Sequence, residues 1–171
     1  MILITDSNYG ISKCNKIPWH FSEDLKFFNK ITINQVCIMG STTAKDLGKP
    51  LRNRINIVIS SNDNCKDLSN DFIIVRNIEN ALTLANNYAN PDKEIFIVGG
   101  SRLYNELLND PNLNKIYYTH INQSFDCDNF VKPLLNRDDM TYEILDKIKY
   151  DRVDIELTFY LINKTKSNVP P

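Results

Sequence analysis

Six short, mostly apolar and β-branched runs limit what this chain can become: Ile2–Ile4, Val36–Met39, Ile55–Ile59, Phe72–Val75, Ile95–Val98 and Ile116–Ile121. Several are apolar at every position, without the alternation that marks a strand with one wet face. Such runs read as strands buried on both sides, and they need cover above and below. Helical patterns fill the gaps at Glu23–Ile31, Thr43–Leu47, Ile78–Tyr88 and Arg102–Leu108. In the third of these, Ile78, Ala81, Leu82 and Ala85 share one face. Strands alternating with helices predict the α/β class, with a central, mostly parallel twisted sheet and flanking helices. The last third changes character. Met140–Tyr150 and Ile155–Asn163, with no helix between them, predict an antiparallel hairpin at the sheet edge. A length of 171 residues fits one domain over 1–163, followed by a polar tail, Lys164–Pro171, expected to fray.

The 20 basic and 21 acidic residues give a net charge of −1 with no block of either sign, so no electrostatic footprint for nucleic acid is present. No apolar stretch reaches the length of about 18 residues that a membrane span needs. The N-terminus also lacks the basic-then-apolar order of a signal peptide. Cys14, Cys37, Cys65 and Cys127 are scattered without a C-x-x-C pair and read as free thiols of a reducing cytoplasm. With His20 and His120 as the only histidines, a histidine-built metal site is not expected.

In sheets of this class ligands sit beyond the carboxyl ends of the strands. The search therefore narrows to the residues after Ile4, Met39, Ile59, Val98 and Thr119. In Ile95–Tyr104 a buried strand runs into Gly99-Gly100 and then into a helix. Two readings are open: a cradle for a phosphate or flat ring, or simply a tight strand-to-helix turn, since the full G-x-G-x-x-G pattern is missing. In Val36–Thr43 a strand meets Gly40 and then Ser41, Thr42 and Thr43, which either cap a helix or donate to phosphate oxygens. Ser60-Ser61 forms a third polar strand end. Together the three suit an extended, phosphate-bearing cofactor.

Pro18 ends a loop near Trp19, and Ser22 is the predicted N-cap of the helix that follows. Asp24 then stands in the first turn, where the helix dipole favours a carboxylate. Its neighbours Trp19, Leu25, Phe27 and Phe28 leave open a second reading, a buried carboxylate with a functional role. Asp24 and Phe28, four apart, present a carboxylate and a ring on one helix face. Arg52 and Arg54 precede a strand and read either as a carboxylate clamp or as solvated loop charges.

Taken in order, four blocks resemble the dihydrofolate reductase family: YGISKCNKIPWHFSEDLKFF, VCIMGSTTAKDLGKPLRNRINIVISS, IFIVGGSRLYNELL and IYYTHINQSFDCDNF. The resemblance runs from Ile2 to about Asn163, and Asp rather than Glu at position 24 is similar to the bacterial or phage branch. It implies NADPH-dependent reduction of 7,8-dihydrofolate to tetrahydrofolate, which serves one-carbon metabolism and thymidylate synthesis. Hydride passes from nicotinamide C4 to pterin C6. Asp24 matches the acidic residue that holds the pterin 2-amino group and N3 and promotes protonation of N5 through water. Thr119 matches its hydrogen-bonding partner, and Trp19 the tryptophan that holds the water. Ile4, Leu25 and Phe28 match pterin and benzoyl contacts, Leu47 and Leu51 the p-aminobenzoyl channel, and Arg54 the clamp on the glutamate α-carboxylate. Ile11 and Val98 match nicotinamide neighbours, and Ile17 a cofactor contact. Gly99, Gly100, Ser101 and Arg102, followed by Leu103 and Tyr104, match the pyrophosphate turn, where family members carry a cis peptide between the glycines. Gly40, Thr42, Thr43, Ser60 and Ser61 match positions around the phosphates and adenosine. The segment from Ser7 to His20 resembles a loop that closes over nicotinamide, and the implied protein is a cytoplasmic monomer without nucleic-acid, membrane or metal partners.

Two residues depart from the family pattern. Ser12 replaces the second glycine of a G-I-G loop, where a positive φ is natural for glycine and not for serine. Ser41 stands where many members have a cation facing the cofactor 2′-phosphate, which leaves Arg76 as the expected source of charge. Two rival functions are weighed: a same-fold reductase acting on a pyrimidine or related pteridine, and a non-catalytic protein that keeps the fold. The first has no need for Pro18-Trp19, Asp24 and Arg54 together, and the second has no need for Asp24, Thr119 or the glycine pair.

Overall fold

A computed structural model describes residues 1–61, 68 and 71–165 of the chain. In order, the elements are β1 (Ile2–Thr5), β2 (Gly10–Ser12), α1 (Ser22–Thr32), β3 (Val36–Gly40), α2 (Ser41–Leu47), β4 (Ile55–Ile59) and β5 (Ile73–Val75). There follow α3 (Ile78–Tyr88), β6 (Ile95–Ile97), α4 (Ser101–Leu107), β7 (Lys115–Ile121), β8 (Asn129–Phe130), β9 (Met140–Tyr150) and β10 (Ile155–Lys164). They form two compact units, one over Phe21–Tyr104 and one from Met1–His20 with the chain from Asn105 onward. The α/β class, the mainly parallel pairing, the helices and the closing hairpin are all present.

In the unit Phe21–Tyr104 four strands pair in the order β5-β4-β3-β6, all parallel. Val36, Cys37, Ile38 and Met39 in β3, and Ile57 and Val58 in β4, are almost wholly buried, as continuous apolar runs require. Helices α2 and α3 pack on β3 and β4. Ala81 and Ala85 are the fully buried face of α3, where small side chains let helix and sheet approach closely. Asn77 caps that helix by accepting a 2.8 Å hydrogen bond from the Asn80 N–H. α2 stops at Gly48, whose φ of 69° is natural for glycine, with its N–H bonded to the Ala44 carbonyl. α1 differs from its expected start. Its N-cap is Phe21, without a side-chain cap, and the Ser22 hydroxyl instead donates to Glu23 Oε2. Glu23 and Asp24 at its start and Lys30 at its end suit the helix dipole.

In the other unit the sheet order is β1-β7-β10-β9. β1 runs parallel to β7, with Ile4 opposite Thr119, and β7, β10 and β9 are successively antiparallel. β10 is largely buried, whereas β9, on the edge, is largely exposed and carries a bulge opposite Phe159/Tyr160. A separate antiparallel ribbon joins β2 to β8. Strands of three and two residues carry no readable periodicity, so this ribbon has no counterpart in the sequence expectations. Lys164 is tied by its N–H to the Asn114 carbonyl and by Nζ to the Asp110 carbonyl. The rest of the predicted tail, from 166 on, lies outside the described residues, as does Cys65. Cys14, Cys37 and Cys127 are free thiols.

Asn77→Ala removes a cap and leaves the Asn80 N–H unpaired, so urea unfolding is expected to show a stability loss of about 1 kcal/mol. An unchanged midpoint would show that α3 is held by packing alone.

Candidate functional site

The parallel register places Gly40, Ile59 and Val75 on one line, so Ser60 and Arg76 leave the sheet at the same edge as Gly40. Val98 joins that edge through its N–H bond to the Ile38 carbonyl. There the Gly99–Gly100 peptide is cis, Gly99 has φ of 139°, and its carbonyl accepts a 2.9 Å bond from the Gly40 N–H. A Cβ on Gly99 would lie 3.0 Å from Thr43 Oγ1, and one on Gly100 3.4 Å from the same atom. Glycine is therefore needed for both backbone angle and space at residue 99. The Gly100 carbonyl accepts from the Tyr104 N–H, which opens α4. Gly40, the N-cap of α2, has no side chain, so Ser41, Thr42 and Thr43 form the first turn itself. Ser60 is buried, Ser41, Thr43 and Ser101 are half-buried, and Thr42, Ser61, Arg76 and Arg102 are exposed. Bare glycine backbone beside hydroxyls and two arginines suits a phosphate-bearing ligand.

α1 supplies the second feature of this unit. Arg54 Nε donates to Thr32 Oγ1 at 2.9 Å, Nη1 to the Arg52 carbonyl at 2.8 Å, and Nη2 to Asn29 Oδ1 at 2.8 Å. Its guanidinium also lies 5.7 Å from the centroid of the Phe28 ring. Held this way, Arg54 is a fixed fork and not a solvated loop charge, although burial draws its pKa down. The turn that carries it is fixed in its own right. Asn56, buried within β4, accepts from the Leu51 N–H and donates to the Leu51 and Arg54 carbonyls.

Asp24, in the first turn of α1, is half-buried. The buried Tyr104 phenol is pushed up, first by burial and then by the charge of Asp24. Burial pushes the Cys37 thiol up to about 12, so it stays neutral and inert. Leu103 is buried, and Phe28 and Leu51 are half-buried. Leu25 and Leu47, by contrast, are 46% and 40% exposed.

In the other unit Ile4 and Thr119 are cross-strand neighbours, Thr119 buried and Ile4 half-buried. Trp19 packs edge-on against Phe125 at 5.2 Å, Ile11 lies in β2, and Ile17 is exposed. Ser12 has ordinary strand backbone; the positive φ values of this segment fall at Tyr9, Cys14 and Asn15. The Cys14 N–H donates to Asp128 Oδ2 at 2.8 Å, and Lys13 pairs with Asp126.

Sequence reasoning passed over three residues that hold these features in place: Asn29, Thr32 and Asn56. Asn56 had a signal, a lone amide inside an apolar run, whereas Asn29 and Thr32 look like any polar helix residues. Among the described residues no cluster of three or more His, Cys, Asp or Glu is arranged to hold a metal, and no helix is long and apolar enough to cross a membrane.

A family model described as dihydrofolate reductase matches residues 1–164. The dihydrofolate reductase of Bacillus subtilis (strain 168) is 34% identical over 127 residues, covering 74% of this chain and 71% of that protein. That of Buchnera aphidicola subsp. Acyrthosiphon pisum (strain APS) is 41% identical over 122 residues, covering 71% and 70%. Among solved structures, dihydrofolate reductase from Enterococcus faecalis complexed with NADP(H) and RAB-propyl superposes with a TM-score of 0.80 at 27% identity, covering 95% of this chain and 94% of that one.

Gly99→Ala would force a methyl group against Thr43 and strain a φ of 139°. Thermal melting should report a loss of about 1–3 kcal/mol, and fluorescence titration should show weaker pyridine-nucleotide binding. Wild-type affinity would mean that the turn does not shape the cofactor site.

Proposed function

The chain belongs to the dihydrofolate reductase family of NADPH-dependent oxidoreductases, and on that premise we propose that it reduces 7,8-dihydrofolate to 5,6,7,8-tetrahydrofolate. One observation supports this reading above the others. α1 carries Asp24 at its start and, towards its end, the Phe28, Asn29 and Thr32 contacts that fix Arg54. Asp24 and Thr32 are eight residues apart, about 12 Å along a helix. A ligand with a polar heterocycle at one end and a carboxylate at the other matches that spacing.

Asp24 receives the pterin 2-amino group and N3 and promotes protonation of N5 through water; Trp19 and Thr119 are assigned to the same step. Leu25, Phe28, Leu47 and Leu51, with Ile4, contact the pterin and benzoyl rings. Arg54 clamps the α-carboxylate through its fork. The glycine turn with Gly40 and Thr43 fits a pyrophosphate, since bare backbone lies where a Cβ would intrude. Ser41, Thr42, Ser60, Ser61, Ser101, Arg102 and Arg76 are assigned to the phosphates and adenosine. Ile11 and Val98 are assigned to the nicotinamide side, and Ile17, Leu103 and Tyr104 to the cofactor without a subsite. When bound, NADPH supplies the hydride that adds to pterin C6. The protein's own contribution is alignment, exclusion of water and delivery of one proton. The proposal extends to a cytoplasmic monomer, which sedimentation can check.

Asp24→Asn keeps the size of the side chain and removes the carboxylate. Activity near neutral pH should fall by at least about a hundredfold, the range that general acid-base groups contribute. It should recover towards lower pH, where the substrate is protonated from solvent. Full activity at neutral pH would reject the role of Asp24. With Ser41 in place of a cation, NADPH should still be favoured over NADH, but by a modest margin. The ratio of kcat/KM for the two cofactors measures it, and a ratio at or below unity would remove NADPH as the working cofactor.

A further inference from the structure

Among the described residues, Asp6 is the only charged side chain that is buried, at 1% exposure. None of the roles assigned above uses it. A carboxylate removed from water must have its lone pairs satisfied, and these are. Oδ1 accepts the Asn8 N–H at 2.9 Å and the Gly10 N–H at 2.7 Å, and Oδ2 accepts the Phe125 N–H at 3.0 Å. The Cys127 thiol donates to the same group. One oxygen thus serves the turn between β1 and β2, and the other reaches the segment between β7 and β8.

The partners of that second segment make the link consequential. Phe125, whose N–H Asp6 holds, packs against Trp19. Asp128, three residues on, accepts the Cys14 N–H. Gly10 lies so close to Cys127 that a Cβ on it would be 2.4 Å from the Cys127 Cβ. Ser7 and Tyr9 bond the same segment through the Gln123 carbonyl and the Val131 N–H.

We propose that Asp6 is a positioning residue: its buried carboxylate sets the register between the turn after β1 and the segment before β8, and so fixes the part of the chain from Ser7 to His20 that acts on the cofactor. The inference rests on the dihydrofolate reduction proposed above. Asparagine at position 6 separates this role from simple turn formation. Its single carbonyl still serves the Asn8 and Gly10 N–H groups, while its amide N–H₂ meets the Phe125 N–H donor to donor and breaks the link.

The test compares wild type with Asp6→Asn by amide exchange and by steady-state kinetics with NADPH and dihydrofolate. Exchange at Phe125 should rise by about tenfold, the effect of losing a hydrogen bond to a charged acceptor, while Gly10 stays protected. KM for NADPH should rise by about tenfold and KM for dihydrofolate by no more than about twofold. Unchanged constants for NADPH, or constants for both substrates shifting together with the melting temperature, would overturn the proposal. If Asp6→Asn does not fold, Cys127→Ala removes one donor and leaves the three N–H bonds; the same split at smaller amplitude supports the role, and its absence rejects it. Wild type run alongside separates the failures. No turnover of dihydrofolate by wild type removes the functional reading and this inference with it, whereas turnover with an unaltered Asp6→Asn removes only the role of Asp6.

Discussion

A strand buried on both faces has no side chain left over for chemistry. In the parallel ladder β5-β4-β3-β6, Val36 to Met39 and Ile57 to Val58 are spent on packing, so everything able to meet a ligand moves to the strand ends. Parallel pairing then aligns those ends along one edge, which brings Gly40, Ser60, Arg76 and Val98 together although they are far apart in sequence. The glycine turn follows from the same crowding. Gly99 can approach Thr43 only because it projects no side chain into the gap.

A charged group in such a setting needs a frame, and the frame around Arg54 is made of ordinary polar residues. Thr32 accepts from Arg54 Nε and also donates to the Phe28 carbonyl, so the helix end and the guanidinium are fixed by one hydroxyl. Asn56 is the counterpart on the strand side, pinning the turn between Leu51 and Arg54 from within β4. Neither residue touches a ligand in the assignment above. Each decides where the fork points, and a positioned fork loses less freedom on binding than a mobile one.

What the sequence made legible divides along the same physical line. Long-period signals came through: the apolar runs of β3 and, around Asn56, of β4, the Ile78–Ala85 face for α3, and the lack of a helix between the two strands of the closing hairpin. Signals that depend on one partner far away in sequence did not. Ser22 looks like a cap by composition, yet its hydroxyl finds Glu23, while Asn77 does the capping for a neighbouring helix. The β2–β8 ribbon is too short for any period to register, and it exists through bonds between segments more than a hundred residues apart. Arg54 reads from the residues alone as either clamp or loop charge, because Asn29 and Thr32 become its acceptors only after α1 and β4 are in place.

Ser12 shows how a departure from a family pattern can be absorbed locally. A glycine there would matter if the backbone needed a positive φ, but Ser12 lies in β2, and the left-handed conformations are taken by Tyr9, Cys14 and Asn15 instead. Asparagine tolerates that region; tyrosine and cysteine do so only where neighbours hold them. Tyr9 is held, its N–H on the Asp6 carbonyl and its carbonyl on the Val131 N–H, and Cys14 is held by Asp128. The Ser12 hydroxyl adds a contact of its own, accepting from Asn129 Nδ2, while its carbonyl accepts from the Asp128 N–H. The glycine this segment cannot lose is Gly10, and the reason is steric, not conformational: Cys127 fills the space a side chain would need. Loop geometry here is therefore set by contacts with the segment before β8 rather than by freedom of the backbone, and a flexible glycine at position 12 would remove a hydrogen bond without relieving any strain.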